Sequence, residues 1–451
     1  MILCGMKEIF TALNIHNNYT VSGTKTLPSR YSVSQLASYC LAAVGISISN
    51  LIEKTGLKNH RPSVEVNSRL ASLWFGQSIQ PINWQMPPLW DAIAGDYKCR
   101  DGWIKLHTNL PHHRQAALQV LSCKADRADV TEAVKSWNAD DLEAAIVQEN
   151  GVAARMRSHE DWQTHPQGKA VAAEPLIIKK QTRKATINNW QATIEQPLSG
   201  LQVLDLTRVL AGPVATRTLA GFGANVLRID PPNWCEANIV PDITLGKKCC
   251  RLDLHNKQHR IIFEQLLNQA DVLVHGFRPD ALDLLGYDQK VRSNIAPNLI
   301  EVSLNAYGWS GPWAKRRGFD SLVQMSCGIA EAGMSWAHKN KPTPLPVQAL
   351  DHATGYLMAA AVITALTDAI DGKGITNSRL SLARTAKLLM EHPQSEPGNL
   401  SLQPQADDFC SEIEQTTWGQ ALRLRAPIKI KGTHMNWLQP SCELGSSEAE
   451  F

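Results

Sequence analysis

The sequence predicts an α/β fold: an open, mostly parallel sheet with helices on both faces, forming a Rossmann-like large domain, plus a smaller α+β domain. Three observations predict it. Short apolar runs alternate with helix-patterned segments between Leu201 and Leu304, at the spacing of β-α-β units. A polar, unpatterned stretch at residues 181–198 separates this region from the one before it. The chain's 451 residues exceed one small core and correspond to roughly two or three units.

Taken in order, residues 1–180 begin with a small-apolar helical segment, "SVSQLASYCLAAVGISISNLIEKTGLKNHRPSVEVNSRLASLWF". It can be laid on "ALDHATGYLMAAAVITALTDAIDGKGITNSRLSLARTAKLL", matching Tyr39 with Tyr356 and Ser34 with Asp351. The shared "NSRL" tetrapeptides at Asn67 and Asn377 favour a partial internal repeat, although small-apolar helices resemble one another in any case. Residues 181–198 are the linker. Residues 199–451 then give "LQVLDL", the helical "GPVATRTLAGFGA", "NVLRID", "CCRLDL", the helical "QHRIIFEQLLNQA", "DVLVHGF" and "LIEVSL". In such sheets ligands lie beyond the carboxyl ends of the strands, which singles out "TRVLAGP", "GFRPD" and "NAYGWSGPW". The segment "PVQALDHATGYLMAAAVITAL" places Asp351 before a long small-apolar run, where a helix-capping carboxylate is the plain reading. A stretch near 391–415, rich in Pro, Ser, Gln and acid, reads as an exposed loop.

Composition excludes several classes. A net charge of +3 is too mild for a nucleic-acid or membrane surface. No apolar run reads as long enough to span a bilayer, and the N-terminus lacks a secretory pattern, so the cytoplasm is the default location. The ten cysteines are scattered without C-x-x-C, and the one histidine pair, His112–His113, has adjacent side chains that point apart. No metal site is expected. A dinucleotide fold would need G-x-G-x-x-G in the first turn, where this chain has Thr207-Arg208-Val209-Leu210-Ala211-Gly212-Pro213. Asp230, in the position of a ribose-binding acid, does not outweigh the missing glycines.

Five segments carry a resemblance: "GLQVLDLTRVLAGPVATRTLAGFGANVLRIDPP", "KKCCRLDL", "ADVLVHGFRPDALDLLGYD", "LIEVSLNAYGWSGPWAKRRGFDSLVQMSCG" and "PVQALDHATGYLMAAAVITAL". Together they resemble the class III CoA-transferases, the carnitine/formyl-CoA transferase superfamily, in family order across most of residues 198–385. "GDYKCRDGWIKLHTNLPHHRQAALQVL" and the segment ending at "AVAAEPLI" resemble the family's small domain, which here precedes the large CoA-binding catalytic domain.

The resemblance implies an acyl-CoA:carboxylate CoA-transferase. Asp351 falls on the nucleophile that carries CoA as an aspartyl thioester. Arg208, Val209, Leu210 and Ala211 fall along CoA, Lys247 near the adenosine phosphates, Phe277 and Arg278 at the adenine region, and Tyr307 near the thioester arm. For three of these a simpler reading stands beside the functional one: a solvated Arg208, a surface Lys247 and a buried, paired Tyr307. Coenzyme A enters as part of the substrate, with no permanently bound cofactor. The expected partners are an acyl-CoA, a small carboxylic acid and a second copy of the chain, with neither nucleic acid nor membrane. Pro231, Leu284 and Asn305 stand where formyl-CoA transferase has basic residues, and no Gly-Gly loop is present. Two rivals remain: an acyl-CoA racemase, whose histidine is replaced by Phe319 in Gly318-Phe319-Asp320, and a catalytically inactive CoA-binding scaffold.

Overall fold

The computed structural model describes residues 6–23, 26–183, 190–394 and 402–451. Seven strands form the main sheet: β1 Ile178–Arg183, β2 Gln202–Leu206, β3 Asn225–Asp230, β4 Lys247–Arg251, β5 Val272–His275, β6 Ile300–Asn305 and β7 Ile375–Ser381. Their spatial order is β4-β3-β2-β5-β6-β7-β1. Every neighbouring pair is parallel except β7 and β1. The chain builds outward from β2 to β3 and β4, then returns to place β5 on the other side of β2. That reversal makes a crevice at the carboxyl ends of β2 and β5, where ligands bind in open α/β sheets.

β3 coincides with its sequence reading. β1 does not: Gln181–Arg183, read as linker, complete an antiparallel edge strand whose first pairs join Ile178 to Arg379 and Lys179 to Ser378. Residues 184–189 of the linker lie outside the described residues. The loop near 391–415 is shorter than expected. Residues 395–401 lie outside the described residues, and Phe409–Thr416 is a strand paired with Gly419–Leu424 and, through it, with Ile79–Pro81.

Five helices matter for the site: α1 Val33–Lys54, α2 Ala211–Gly221, α3 Asp320–Ser326, α4 Ala349–Ile370 and α5 Leu382–Met390. Helices α1 and α4 are each 22 residues long and apolar enough, by length and composition, to cross a membrane. The sequence reading missed this because Ser, Thr and Tyr punctuate both runs. Both lie mostly inside the fold, where an all-round apolar helix belongs. They run parallel and adjacent, with Ser47 Oγ 3.4 Å from Thr364 Oγ1 and Lys54 paired to Asp371 at 3.0 Å.

The two helices also start alike. Ser32 before α1 has φ/ψ −75/61° and Gln348 before α4 has −75/63°. Matching those starts sets Ser34 level with Leu350, one residue away from its expected partner Asp351. The "NSRL" match has no structural equivalent. Asn67 caps the helix Ser68–Trp74, its Oδ1 accepting from Leu70 N at 3.0 Å, whereas Asn377–Leu380 lie within β7. What the two segments share is the order helix, strand, helix.

A smaller antiparallel sheet, Gly95–Lys98, Trp103–Leu106 and Ala153–Arg155, packs with the helices Pro111–Leu121, Arg127–Lys135 and Ala139–Gln148 around its own core of Ile104, Leu106, Val130, Leu142 and Ile146. Two residues beyond it hold the loop after β6. Gln167 bonds Tyr307 O, Ser310 O and Trp313 N, and Glu174 Oε1 accepts from Trp309 N and Ser310 N.

Candidate active site

The crevice holds a cavity of about 380 Å³. Its walls come from the turn after β2 (Arg208, Val209, Leu210, Ala211), the segment after β5 (Gly276, Phe277, Arg278) and the end of β6 (Leu304, Asn305, Ala306). The smaller sheet's side adds Leu110, His112 and His113, while Arg316, Arg317 and Phe319 close another wall. Asp351 is on its wall. A second cavity of about 80 Å³, walled by Leu89, Trp90, His107, Leu110, Ile239 and Phe319 among others, meets the first at Leu110, Val209, Leu210, Phe319 and Asp351.

Asp351 stands in the first turn of α4 and is 7% exposed. The capping reading is not realised, because another carboxylate caps this helix. Asp320, at the start of α3, accepts from Leu350 N at 2.8 Å and from Asp351 N at 3.1 Å, both on one carboxylate oxygen. Its other oxygen accepts from Gln324 Nε2. The Asp351 carboxylate makes no hydrogen bond among the described residues and is left facing the cavities. Burial pushes Asp351 well above the ordinary carboxylate range, and the nearby Asp320 adds to this. Burial likewise raises Asp320 to about 6, against the hydrogen bonds that favour its charged form. The positive end of α4 works in the opposite sense, favouring a carboxylate at this position.

The turn after β2 is held by buried charge. Asp205, fully buried in β2, takes Lys247 Nζ at 3.0 Å, Thr216 Oγ1 at 2.5 Å and Thr207 N at 2.9 Å. Burial alone would raise its pKa, but Lys247, Arg228 and the two threonines outweigh that and hold it below the usual range. Arg228 grips Asp230 and Glu236, and Glu236 in turn accepts from Val209 N at 2.8 Å. Val209 is thereby fixed at φ +64°, a left-handed conformation that is strained for a β-branched residue. The turn's shape at the cavity wall is imposed by this network and not by local preference.

Six of the sequence-selected residues surround one cavity with Asp351: Arg208, Val209, Leu210, Ala211, Phe277 and Arg278. The Arg208 guanidinium lies over the rings of Trp234 (4.5 Å) and Phe277 (5.5 Å), with Nε 3.8 Å from Asp230. Two residues are placed elsewhere. Lys247 is 1% exposed and bound to Asp205 and Pro213 O, inside the fold. Tyr307 is 1% exposed, its hydroxyl 3.2 Å from Ser326 Oγ. Of the departures, Asn305 lines the cavity and closes a turn onto Gly308, whereas Leu284 is 78% exposed and Pro231 offers its carbonyl to Arg251. Asp230 is bound by Arg228 and fully buried, so it presents nothing to a ribose.

Sequence reasoning missed Asp320, Arg316, Arg317 and the histidines. His107 stacks on Phe319 at 4.0 Å, and His113 meets the same ring edge-on at 5.9 Å. Arg316 bonds Glu143 and Ala153 O at 2.5 and 2.9 Å, tying the cavity wall to the smaller sheet. Among the described residues no cluster of three or more His, Cys, Asp or Glu is placed to hold a metal ion.

Residues 198–397 match the model of CoA-transferase family III. Over this span the chain is similar to CoA-transferase family III. Named relatives accord with this. A probable fatty acyl-CoA transferase of Mycobacterium tuberculosis is 34% identical over 188 residues, covering 38% of this chain and 46% of the relative. An acetyl-CoA:oxalate CoA-transferase of Acetobacter aceti is 36% identical over 148 residues, covering 30% and 38%. The human succinyl-CoA:glutarate CoA-transferase is 29% identical over 194 residues, covering 40% and 44%. The chain therefore spans less than half the length of these three family members. A crystal structure of an M. tuberculosis protein superposes with a TM-score of 0.39 at 29% identity, over 44% of this chain and 58% of that one. The family match takes in every strand from β2 to β7, Asp351, and all the cavity residues from the turn after β2 onward.

Proposed function

We propose that the protein is an acyl-CoA:carboxylate CoA-transferase in which Asp351 is the CoA carrier. The observation that carries this reading is the unpartnered, buried Asp351 carboxylate at the junction of two cavities, the wider one bearing Arg208, Arg278, Arg316 and Arg317. Arg208, Arg278 and Arg317 suit the phosphates of an acyl-CoA, with Arg316 held by Glu143 in the wall beside them, and the smaller cavity suits its acyl end.

The chemistry balances without a cofactor. Asp351 attacks the thioester carbonyl, a C–O bond forms, the C–S bond breaks, and CoA thiolate departs from a mixed anhydride. The thiolate then attacks the Asp351 carbonyl carbon. A new C–S bond forms as the anhydride C–O bond breaks, and the donor acid leaves as its carboxylate. An acceptor carboxylate attacks the aspartyl thioester, releasing thiolate, which attacks the acceptor's acyl carbon and frees Asp351. No proton is gained or lost overall. Each step is an exchange between neighbouring acyl groups, so the protein's task is to exclude water and hold the partners in place.

We take the working form to be a cytoplasmic homodimer, as the family resemblance implies, and expect light scattering to give twice the chain mass. Two-substrate initial rates test the mechanism. The reading predicts parallel double-reciprocal lines with any productive donor and acceptor pair, and turnover lowered by orders of magnitude in Asp351→Asn. Intersecting lines, or near-normal turnover in the variant, would refute it.

A further inference from the structure

Resting on the reading of Asp351 as the CoA carrier, we infer that the small cavity is the acyl subsite and that it selects short, uncharged acyl groups. Donor and acceptor are then monocarboxylic acids of about four to six carbons, and dicarboxylic acids are poor substrates.

Charge is the first argument. The two cavities meet at Asp351 yet differ in lining: the wide one has four arginines, the small one no lysine or arginine. The charged residues on the small cavity's wall, besides Asp351, are Glu236 and Asp320. Both are committed, Glu236 to Arg228 and Val209 N, Asp320 to the start of α4. His107 is kept neutral by burial, which pulls its pKa down to about 4. The Lys105 ammonium group lies over the Trp90 ring at 5.4 Å and is paired to Asp96 at 2.8 Å. A second carboxylate carried in on a dicarboxylyl-CoA would lie beside two acids with no cation on the small cavity's wall to pair with it.

Size is the second argument. A water needs about 10–15 Å³ of such volume, so about 80 Å³ admits on the order of five to eight water-sized groups. The apolar walls open to a chain are Leu89, Trp90, Leu110, Ile239 and Phe319, with Asn109, Asn238, Ser321 and Gln348 between them. In a transfer that alternates two acids at one nucleophile, both acids occupy this space in turn, so the limit applies to donor and acceptor alike.

Butyryl-CoA and succinyl-CoA differ by one terminal carboxylate, and octanoyl-CoA adds only length. Each is mixed with the full chain. The rate at which Asp351 becomes labelled is followed by peptide mass spectrometry, and affinity is measured by calorimetry. We expect butyryl-CoA to label at least tenfold faster than succinyl-CoA and octanoyl-CoA. Leu89→Arg, at a position 48% exposed and so tolerant of change, should narrow the butyryl-to-succinyl ratio at least fivefold by supplying a cation at the rim. Equal or faster labelling by succinyl-CoA overturns the charge argument, and equal labelling by octanoyl-CoA overturns the size argument. If no acyl-CoA labels Asp351, the functional reading falls and the calorimetric ratio decides the subsite alone: a tenfold preference for butyryl-CoA retains it, and equal affinities end it.

Discussion

Two carboxylates without a counter-ion between them dominate the residue scale. Asp320 supplies the helix cap that Asp351 does not, which leaves Asp351 in the first turn of α4 with a free carboxylate. Burial raises both pKa values, with Asp320 adding to the rise at Asp351, and the sign of the consequence follows. Groups whose folded pKa exceeds the unfolded value favour the fold fully at low pH, and that contribution is lost as pH rises through the folded value, about 6 for Asp320. Asp351→Asn removes the repulsion. Its urea stability should match wild type near pH 4 and exceed it at pH 8. A constant difference at both pH values would show that the Asp351 pKa is not raised in the fold. The same pair predicts that kcat/KM rises with pH above the ordinary carboxylate range, as Asp351 loses its proton. Val209 offers a separate test. Relief of its φ of +64° outweighs glycine's entropy, so Val209→Gly should gain about 1 kcal/mol in urea denaturation. A loss would mean that the side chain's packing dominates.

At the scale of elements, the site depends on two helix starts brought together beyond the carboxyl ends of the sheet. Helix α2 begins at Ala211 and α4 at Ala349, and they pack closely because Gly355 has no side chain. A Cβ there would lie 2.3 Å from Ala211 O and 2.8 Å from Val214 Cβ. Gly355→Ala should cost about 1–3 kcal/mol and displace Asp351 from the Arg208–Ala211 turn, lowering activity more than stability alone explains. Unchanged melting temperature and rate would contradict that packing. Elements also differ in how plainly the sequence announces them. β3 was legible because a strand buried on both faces reads as a nearly unbroken apolar run. β1 was not, because an edge strand with exposed Lys179, Lys180 and Gln181 reads like a loop until β7 is there to pair with it.

For the whole molecule, residues 1–180 and 199–451 share one core. Leu36, Val44 and Ile48 of α1 belong to the same buried cluster as Leu357, Ala361 and Val362 of α4, and the strand Ile428–Ile430 pairs with Val64–Val66. An isolated 198–451 fragment should lack cooperative urea unfolding, since α4 would expose a face that α1 now covers. A sharp transition with native-like near-UV dichroism would show that the second half folds alone. The candidate site follows the same rule. The strand-end turns were legible because topology alone places them at the crevice. Lys247 was misplaced because nothing local shows that it serves Asp205, which lies on β2, two strands away from it. Asp320, His107 and His113 were missed because their nearness to Asp351 exists only once the smaller sheet and α3 have packed against the crevice.

The central claim is that Asp351 carries CoA, and the most direct measurement is the intact bond. The protein is mixed with a productive acyl-CoA in the absence of acceptor, quenched in acid, digested and examined by mass spectrometry. The account predicts that the peptide containing Asp351 gains the mass of CoA less one water, that the adduct vanishes on adding acceptor or hydroxylamine, and that Asp351→Asn shows none. An adduct on another residue, or turnover with no adduct on Asp351 at any time, would contradict it.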